Sequence, residues 1–174
     1  MDPMVGLNTG AMGCYTDHGV SGYGIAVRLS RPRAMSDSIV REIAEEIMLS
    51  IAGKCMELGA RAIGHIKSHV RTAAGTIKAD TIGVSHGAYS SGRFEYPVKD
   101  LFMAINSIVQ GIPEEAVKAA TLEGIHAVAE QKGISMVKEK EHIYFDEFDA
   151  TIEAQNFIRP LEEQFDNGVF EEDY

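Results

Sequence analysis

Apolar residues recur at two different spacings along this chain, and the changes of spacing mark its elements. In G-I-A-V-R-L-S, residues 24–30, Ile25, Val27 and Leu29 alternate with Ala26 and Arg28, the period-two signature of a half-buried strand. The R-P-R at 31–33 predicts its end, because proline cannot donate to a sheet ladder. The spacing then lengthens. Ile39, Ile43, Ile47, Ile51 and Cys55 recur every fourth residue, Val40, Met48 and Leu58 widen the stripe, and Arg41, Glu42, Glu45 and Glu46 lie largely off it. This predicts an amphipathic helix with one buried side, with Ser36 or Asp37 as its N-cap and Gly59 as its stop.

Residues 61–93 read R-A-I-G-H-I-K-S-H-V-R-T-A-A-G-T-I-K-A-D-T-I-G-V-S-H-G-A-Y-S-S-G-R, a β-hairpin followed by a loop. Ile63, His65, Lys67, His69 and Arg71 share one face of the first arm, because strand side chains alternate. A turn centred on Ala74 places Ile66 opposite Ile82 and Gly64 opposite Val84. The apolar face is then Ile66, Val70, Ile82 and Val84, and the basic face lies beside Ile77, Ala79, Thr81, Gly83 and Ser85. A one-residue slip would invert the second arm. Pro97 is expected to open a second helix with Val98, Leu101, Phe102, Ile105, Ile108 and Val109 as its face, ended by Gly111. Pro113, Glu114 and Glu115 open a third, where proline suits the first turn and acids suit the positive helix end. It runs to Gly133 on a face of Val117, Ala120, Ile125 and Val128. A last strand is expected over 134–145, its Lys138, Glu139, Lys140 and Glu141 fitting an edge position. Residues 146–174 are strongly acidic and read as short helices on either side of Pro160 before a terminal E-E-D-Y.

The order strand, helix, strand, strand, helix pair, strand matches the β-α-β-β-α-β order of the ferredoxin-like split unit. The expected fold class is α+β: an antiparallel sheet with helices on one face, the second helical slot split into two helices, and an acidic C-terminal extension. The expected organisation is a glycine-rich N-terminal arm at 1–22 (flexible, or a set of tight turns), a single α+β domain at 23–145, and the extension at 146–174.

With 174 residues the chain is long enough for one domain with a real core. A net charge of −10 argues against a dedicated nucleic-acid binder, which needs basic surface to displace counterions, yet it leaves room for a local basic patch. Cys14 and Cys55, the only cysteines, imply no disulfide framework; Cys55 reads as a buried thiol on the helix stripe. The M-D-P start lacks a cationic, apolar leader, and no apolar run suits a membrane span, so a cytoplasmic protein is expected.

The candidate chemistry lies in the hairpin. Lys67 and Arg71, with Arg93 and the hydroxyls of Ser85, Ser90 and Ser91, form a candidate anion-binding set for phosphate, carboxylate or a nucleotide tail. The ordinary reading of such a charge run is a solvated face, or one paired with a neighbouring subunit. His65, His69 and His86 are candidate acid–base residues. On a strand, His65 and His69 stand about 13 Å apart, too far for one metal, and no metal site or cofactor is named by the sequence. Ser85 beside His86 is not read as a dyad, because adjacent strand side chains point apart. S-H-G-A-Y-S-S-G at 85–92 lacks the lysine of a P-loop. His18, His126 and His142 read as structural, and D-E-x-D at 146–149 lacks calcium-loop spacing.

Three functional classes follow. The first is an oligomeric α+β binding module, a homo-oligomer with a small anionic ligand on its sheet. The second is a small enzyme acting on a phosphorylated or carboxylated metabolite through the hairpin histidines. The third, ranked last, is an RNA-binding sheet face, for which the hairpin offers only Tyr89 as a stacking group.

Overall fold

The alternation at Ile25, Val27 and Leu29 sits within a strand running Val20–Met35 (β1), in a computed structural model that describes residues 18–141. There follow α1 (Asp37–Glu57), β2 (Ala62–Thr72), β3 (Gly75–Thr81), a 3-10 turn (Val84–His86), β4 (Tyr89–Phe94), β5 (Val98–Gln110), α2 (Glu114–Lys132) and β6 (Ser135–Glu141). The class is α+β: the described residues form one six-stranded sheet in the order β4-β3-β2-β5-β1-β6, with two helices. Every neighbouring pair is antiparallel. Cys14, His142, the acidic run at 146–149 and the helices expected around Pro160 lie outside the described residues. Val20, Ser21 and Gly22, read as the end of an arm, are part of β1. β1 also passes Pro32, which falls where the register shifts between Ser30 and Met35, so its missing N–H interrupts no paired rung.

Both helices cover the same face. Ile25, Val27 and Leu29 of β1, Ile66 and Val70 of β2, Ile77 of β3 and Met103, Ile105 and Val109 of β5 join Ile43, Ile47 and Ile51 of α1 and Val117 and Ile125 of α2 in one core. The fourfold stripe of α1 is therefore its sheet-facing side, and Cys55 is buried on it, its thiol pushed up to about 11 by burial. α2 begins after Pro113 and ends at the left-handed Gly133, as its boundary residues predict. The two helices pack closely where Gly124 meets Ile51: a methyl group added there would lie 2.8 Å from the Ile51 backbone nitrogen. Lys132 ties the helices at the surface through Glu42 (2.6 Å) and Glu46 (2.7 Å).

Two further expectations are corrected. Residues 98–110 form β5, a strand and not a helix, so the second helical slot holds α2 alone. β5 lies between β1 and β2. The run L-F-M-A-I is apolar at every position, so it fits helical spacing as well as strand alternation. Its real period is two: Leu101, Met103, Ile105 and Val109 face the helices, while Phe102, Ala104, Asn106 and Ile108 face away.

The hairpin register is the other. Its turn is two residues, Ala73 and Ala74, with Thr72 opposite Gly75, so Val70 pairs with Ile77 and Ile66 with Thr81. Relative to a turn centred on Ala74 this is a one-residue slip. It turns Ile77, Ala79 and Thr81 toward the helices and leaves Ile82 and Val84 exposed beyond the strand. Gly75 makes the turn possible, with φ of 135° and the Arg93 carbonyl against the position a side chain would occupy.

Candidate functional site

Alternation along β2 sends Ile66, Ser68 and Val70 into the core and His65, Lys67, His69 and Arg71 to the opposite face, which neither α1 nor α2 covers. The pairing register lays that face out in three rows from β1 to β4. One row is Gly24, Asn106, Lys67, Asp80, Tyr89; the next is Ala26, Ala104, His69, Lys78, Ser91; the third is Arg28, Phe102, Arg71, Thr76, Arg93. Adjacent strands are about 4.8 Å apart, so the rows span roughly 19 Å.

The middle row is low. Ala26 is 0% and Ala104 3% exposed, Phe102 packs against the pair, and His69 beside them is 7% exposed. Short side chains thus floor a shallow apolar band between flanking rows of longer ones. Arg71, Arg93 and Arg28 stand along one side; Arg28 is held by Glu139 of β6 at 3.1 Å. Lys67 and Asp80 stand along the other, with Tyr89 at the end, 70% exposed. Burial, with a smaller contribution from the Lys67 charge, lowers the His65 pKa below its ordinary 6.5, while Asp80 opposes the shift. Burial thus favours the neutral form of His65.

The other candidate residues divide. Ser91 and Arg93 join the open face. Ser90 does not: it points to the helix side, donating to the Glu45 carboxylate at 2.5 Å and accepting from Arg41 at 3.4 Å. Of the stretch 85–92, expected as a loop, residues 89–92 belong to β4 and pair with β3. Ser85 and His86 lie in the 3-10 turn beside α1. Because that turn is not extended, the two side chains meet, Ser85 Oγ to His86 Nδ1 at 3.2 Å, contrary to the strand-based expectation. Thr81 shapes the loop by accepting the Gly83 N–H (3.1 Å) and donating to the Gly87 carbonyl (2.6 Å). His86 is thus on the edge near α1, apart from His65 and His69, which are four positions apart on one strand. Among the described residues no group of three or more His, Cys, Asp or Glu side chains could hold a metal ion, and no helix is long and apolar enough to cross a membrane.

Lys78, Phe102, Asn106, Arg28 and the strand position of Tyr89 were missed by sequence reasoning. The signal for Lys78 was the two-residue turn T-A-A-G; for Phe102 and Asn106 it was the alternation hidden in β5.

No known protein family matches the chain, and no curated protein matches it. Two solved structures resemble part of it: the Zn(II)-bound YjiA GTPase from E. coli and a Zn(II)-bound triple mutant of YjiA, each 16% identical with a TM-score of 0.29. In each case 60% of this chain aligns with 29% of the other, so the matched region is under a third of that GTPase. A likeness at this level carries no argument about fold or activity.

Proposed function

We propose that this protein is a binding module that holds a small anionic ligand on its open sheet face. The observation supporting this reading is the middle row of Ala26, Ala104 and His69, a low band flanked by Arg71 and Arg93 on one side and Lys67 on the other. A flat ligand can lie on the band while its phosphate or carboxylate takes charge-assisted hydrogen bonds from the rim. Lys78, beyond His69 in the same row, adds a further cation. The enzymatic alternative would need His86, in the 3-10 turn beside α1, to act together with His65 and His69 on β2, and it is the second reading.

Tripolyphosphate is a suitable probe, titrated at low salt and followed by backbone amide shifts. Shifts at Lys67, His69, Arg71 and Lys78 are expected, and Lys67→Ser with Arg71→Ser should weaken binding about tenfold, the range of one or two charge-assisted contacts. Binding should tighten as pH falls below 7, because an adjacent anion favours protonated His65. Shifts confined to the helix side, or none, would refute the reading.

The ferredoxin-like split unit is also proposed, in elaborated form. With β3, the 3-10 turn and β4 treated as an insertion, the remaining elements run β1-α1-β2-β5-α2-β6, and their spatial order is β6-β1-β5-β2. An experimental structure with a different strand order would overturn this.

A further inference from the structure

The net charge of this chain is unevenly placed. Of its 26 acidic residues, ten fall at 142–174, where Arg159 is the single basic residue, so that segment carries nine of the ten net negative charges. The preceding 141 residues hold 16 acids against 15 bases and are close to neutral. The acidity that argued against a nucleic-acid binder therefore belongs to the C-terminal segment and not to the sheet.

On the open face the balance is reversed. Alternation and register put Arg28, Lys67, Arg71, Lys78, Arg93 and Lys140 there, against Asp80, Asp100 and Glu139. The C-terminal segment starts beside this surface. Lys140 pairs with Ala26, which extends the middle row to Lys140, Ala26, Ala104, His69, Lys78, Ser91, and Glu141 at the end of β6 pairs with Ile25. The chain thus leaves the sheet edge level with the apolar band. From β6 to β2 is three strand spacings, about 14 Å; about five extended residues cover that distance, and 33 follow Glu141.

Composition completes the match. A simply solvated acidic tail is poor in aromatics, yet five of the seven phenylalanines, Phe145, Phe148, Phe157, Phe165 and Phe170, lie in this segment. F-D-E-F-D at 145–149 interleaves rings with carboxylates. That pattern suits a surface with an apolar floor and cationic rims.

We infer that residues 142–174 dock in cis across the open sheet face and compete there with the anionic ligand. The docking rests on charge and position alone; the competition rests also on the binding function proposed above. Tethering favours it, because a short linker gives an effective concentration in the millimolar range, enough to hold a weak contact. The ligand must displace the segment, so apparent affinity falls by the fraction of copies with the face open.

The test uses the full chain. Carbodiimide joins carboxylates to lysines only in direct contact. In a mixture of nitrogen-14 and nitrogen-15 copies, same-copy links are expected from Lys67 and Lys78 to acids at 146–173, lost at high salt. Links between copies would make a second molecule the occupant and overturn docking in cis. So would links no more frequent at Lys67 and Lys78 than at Lys54, Lys118 and Lys132 on the helix side. In the second arm, Asp146→Asn, Glu147→Gln, Asp149→Asn and Glu153→Gln are combined. This chain should bind tripolyphosphate about tenfold more tightly than wild type at low salt; equal affinity overturns the competition. If the links form but neither chain binds tripolyphosphate, docking is supported and the ligand reading fails on its own.

Discussion

The two faces of this sheet are built from the same strands, in alternate residues, and they differ in almost every property. On the helix side, Ile25, Ile66, Ile77, Met103 and Ile105 pack into one core with α1 and α2. The polar side chains buried there are bonded: Ser107 Oγ meets Thr121 Oγ1 at 2.9 Å, Thr121 also donates to the Val117 carbonyl at 2.8 Å, and Ser68 donates to the Ala79 carbonyl at 3.4 Å. On the open side the residues between these are Arg28, Lys67, His69, Arg71 and Lys78, over a floor of two alanines and Phe102. One face supplies most of the folding free energy and the other presents charge. A period of two lets a single strand carry both tasks, and a substitution on one face is largely independent of the other.

The sharpest way to break that division is on the helix side. Ile105→Ala removes a side chain that is 1% exposed at the centre of the sheet, and should cost about 2–5 kcal/mol in urea unfolding, with the cavity adding to the lost transfer energy. Gly124→Ala tests the helix contact. The new methyl would sit 2.7 Å from Ile51 Cγ1 and 2.9 Å from its Cα, so overpacking should cost about 1–3 kcal/mol despite the better helix propensity of alanine. A stabilised variant would mean that α1 and α2 separate easily.

Glu141 joins the sheet edge to α2 on the helix side. Its carboxylate accepts from Lys138 (2.9 Å), Lys118 (3.2 Å) and Tyr23 (3.0 Å), which together bring its pKa from 4.5 down to about 2. A depressed folded-state value means that the unfolded chain binds the proton more readily. The contribution is present above pH 4.5 and is lost as pH falls toward 2. Unfolding midpoints of wild type and Glu141→Gln should therefore converge across that window; a constant difference would show that Glu141 acts through packing and not charge.

How much of this was readable from residues alone depends on how local each signal was. The α1 stripe, the α2 boundaries at Pro113 and Gly133, and the alternation in β2 are local patterns, and each predicted its element. The identity of β5 was not local: a run that is apolar at every position satisfies two periods, and only its pairing with β1 and β2 selects one. β4, Y-S-S-G-R-F, has few strand-forming residues and is held instead by pairing to β3 and by the Phe94 N–H donating to Asp37 at 2.7 Å. The register was set by a single residue of the turn. Reading two loop residues at 73–74 would have put Lys78 in the candidate site and moved Ala79 into the core.

The smallest expected effect is the most discriminating one. Lys67 lies in mid-strand on β2 and is exposed, opposite Asp80 on β3 and Asn106 on β5. Exposed cross-strand charge pairs contribute little, because solvent screens the attraction and ordering two side chains opposes it. Lys67→Ser should thus change unfolding free energy by no more than about 0.5 kcal/mol, far less than Ile105→Ala on the neighbouring strand, next to the Asn106 that pairs with Lys67, while reducing tripolyphosphate affinity severalfold. A loss of stability comparable with the core variant would show that Lys67 holds the sheet together, and the open face would then be a structural surface like the one beneath it. An unchanged stability with an unchanged affinity would leave the fold as described and remove Lys67 from the site.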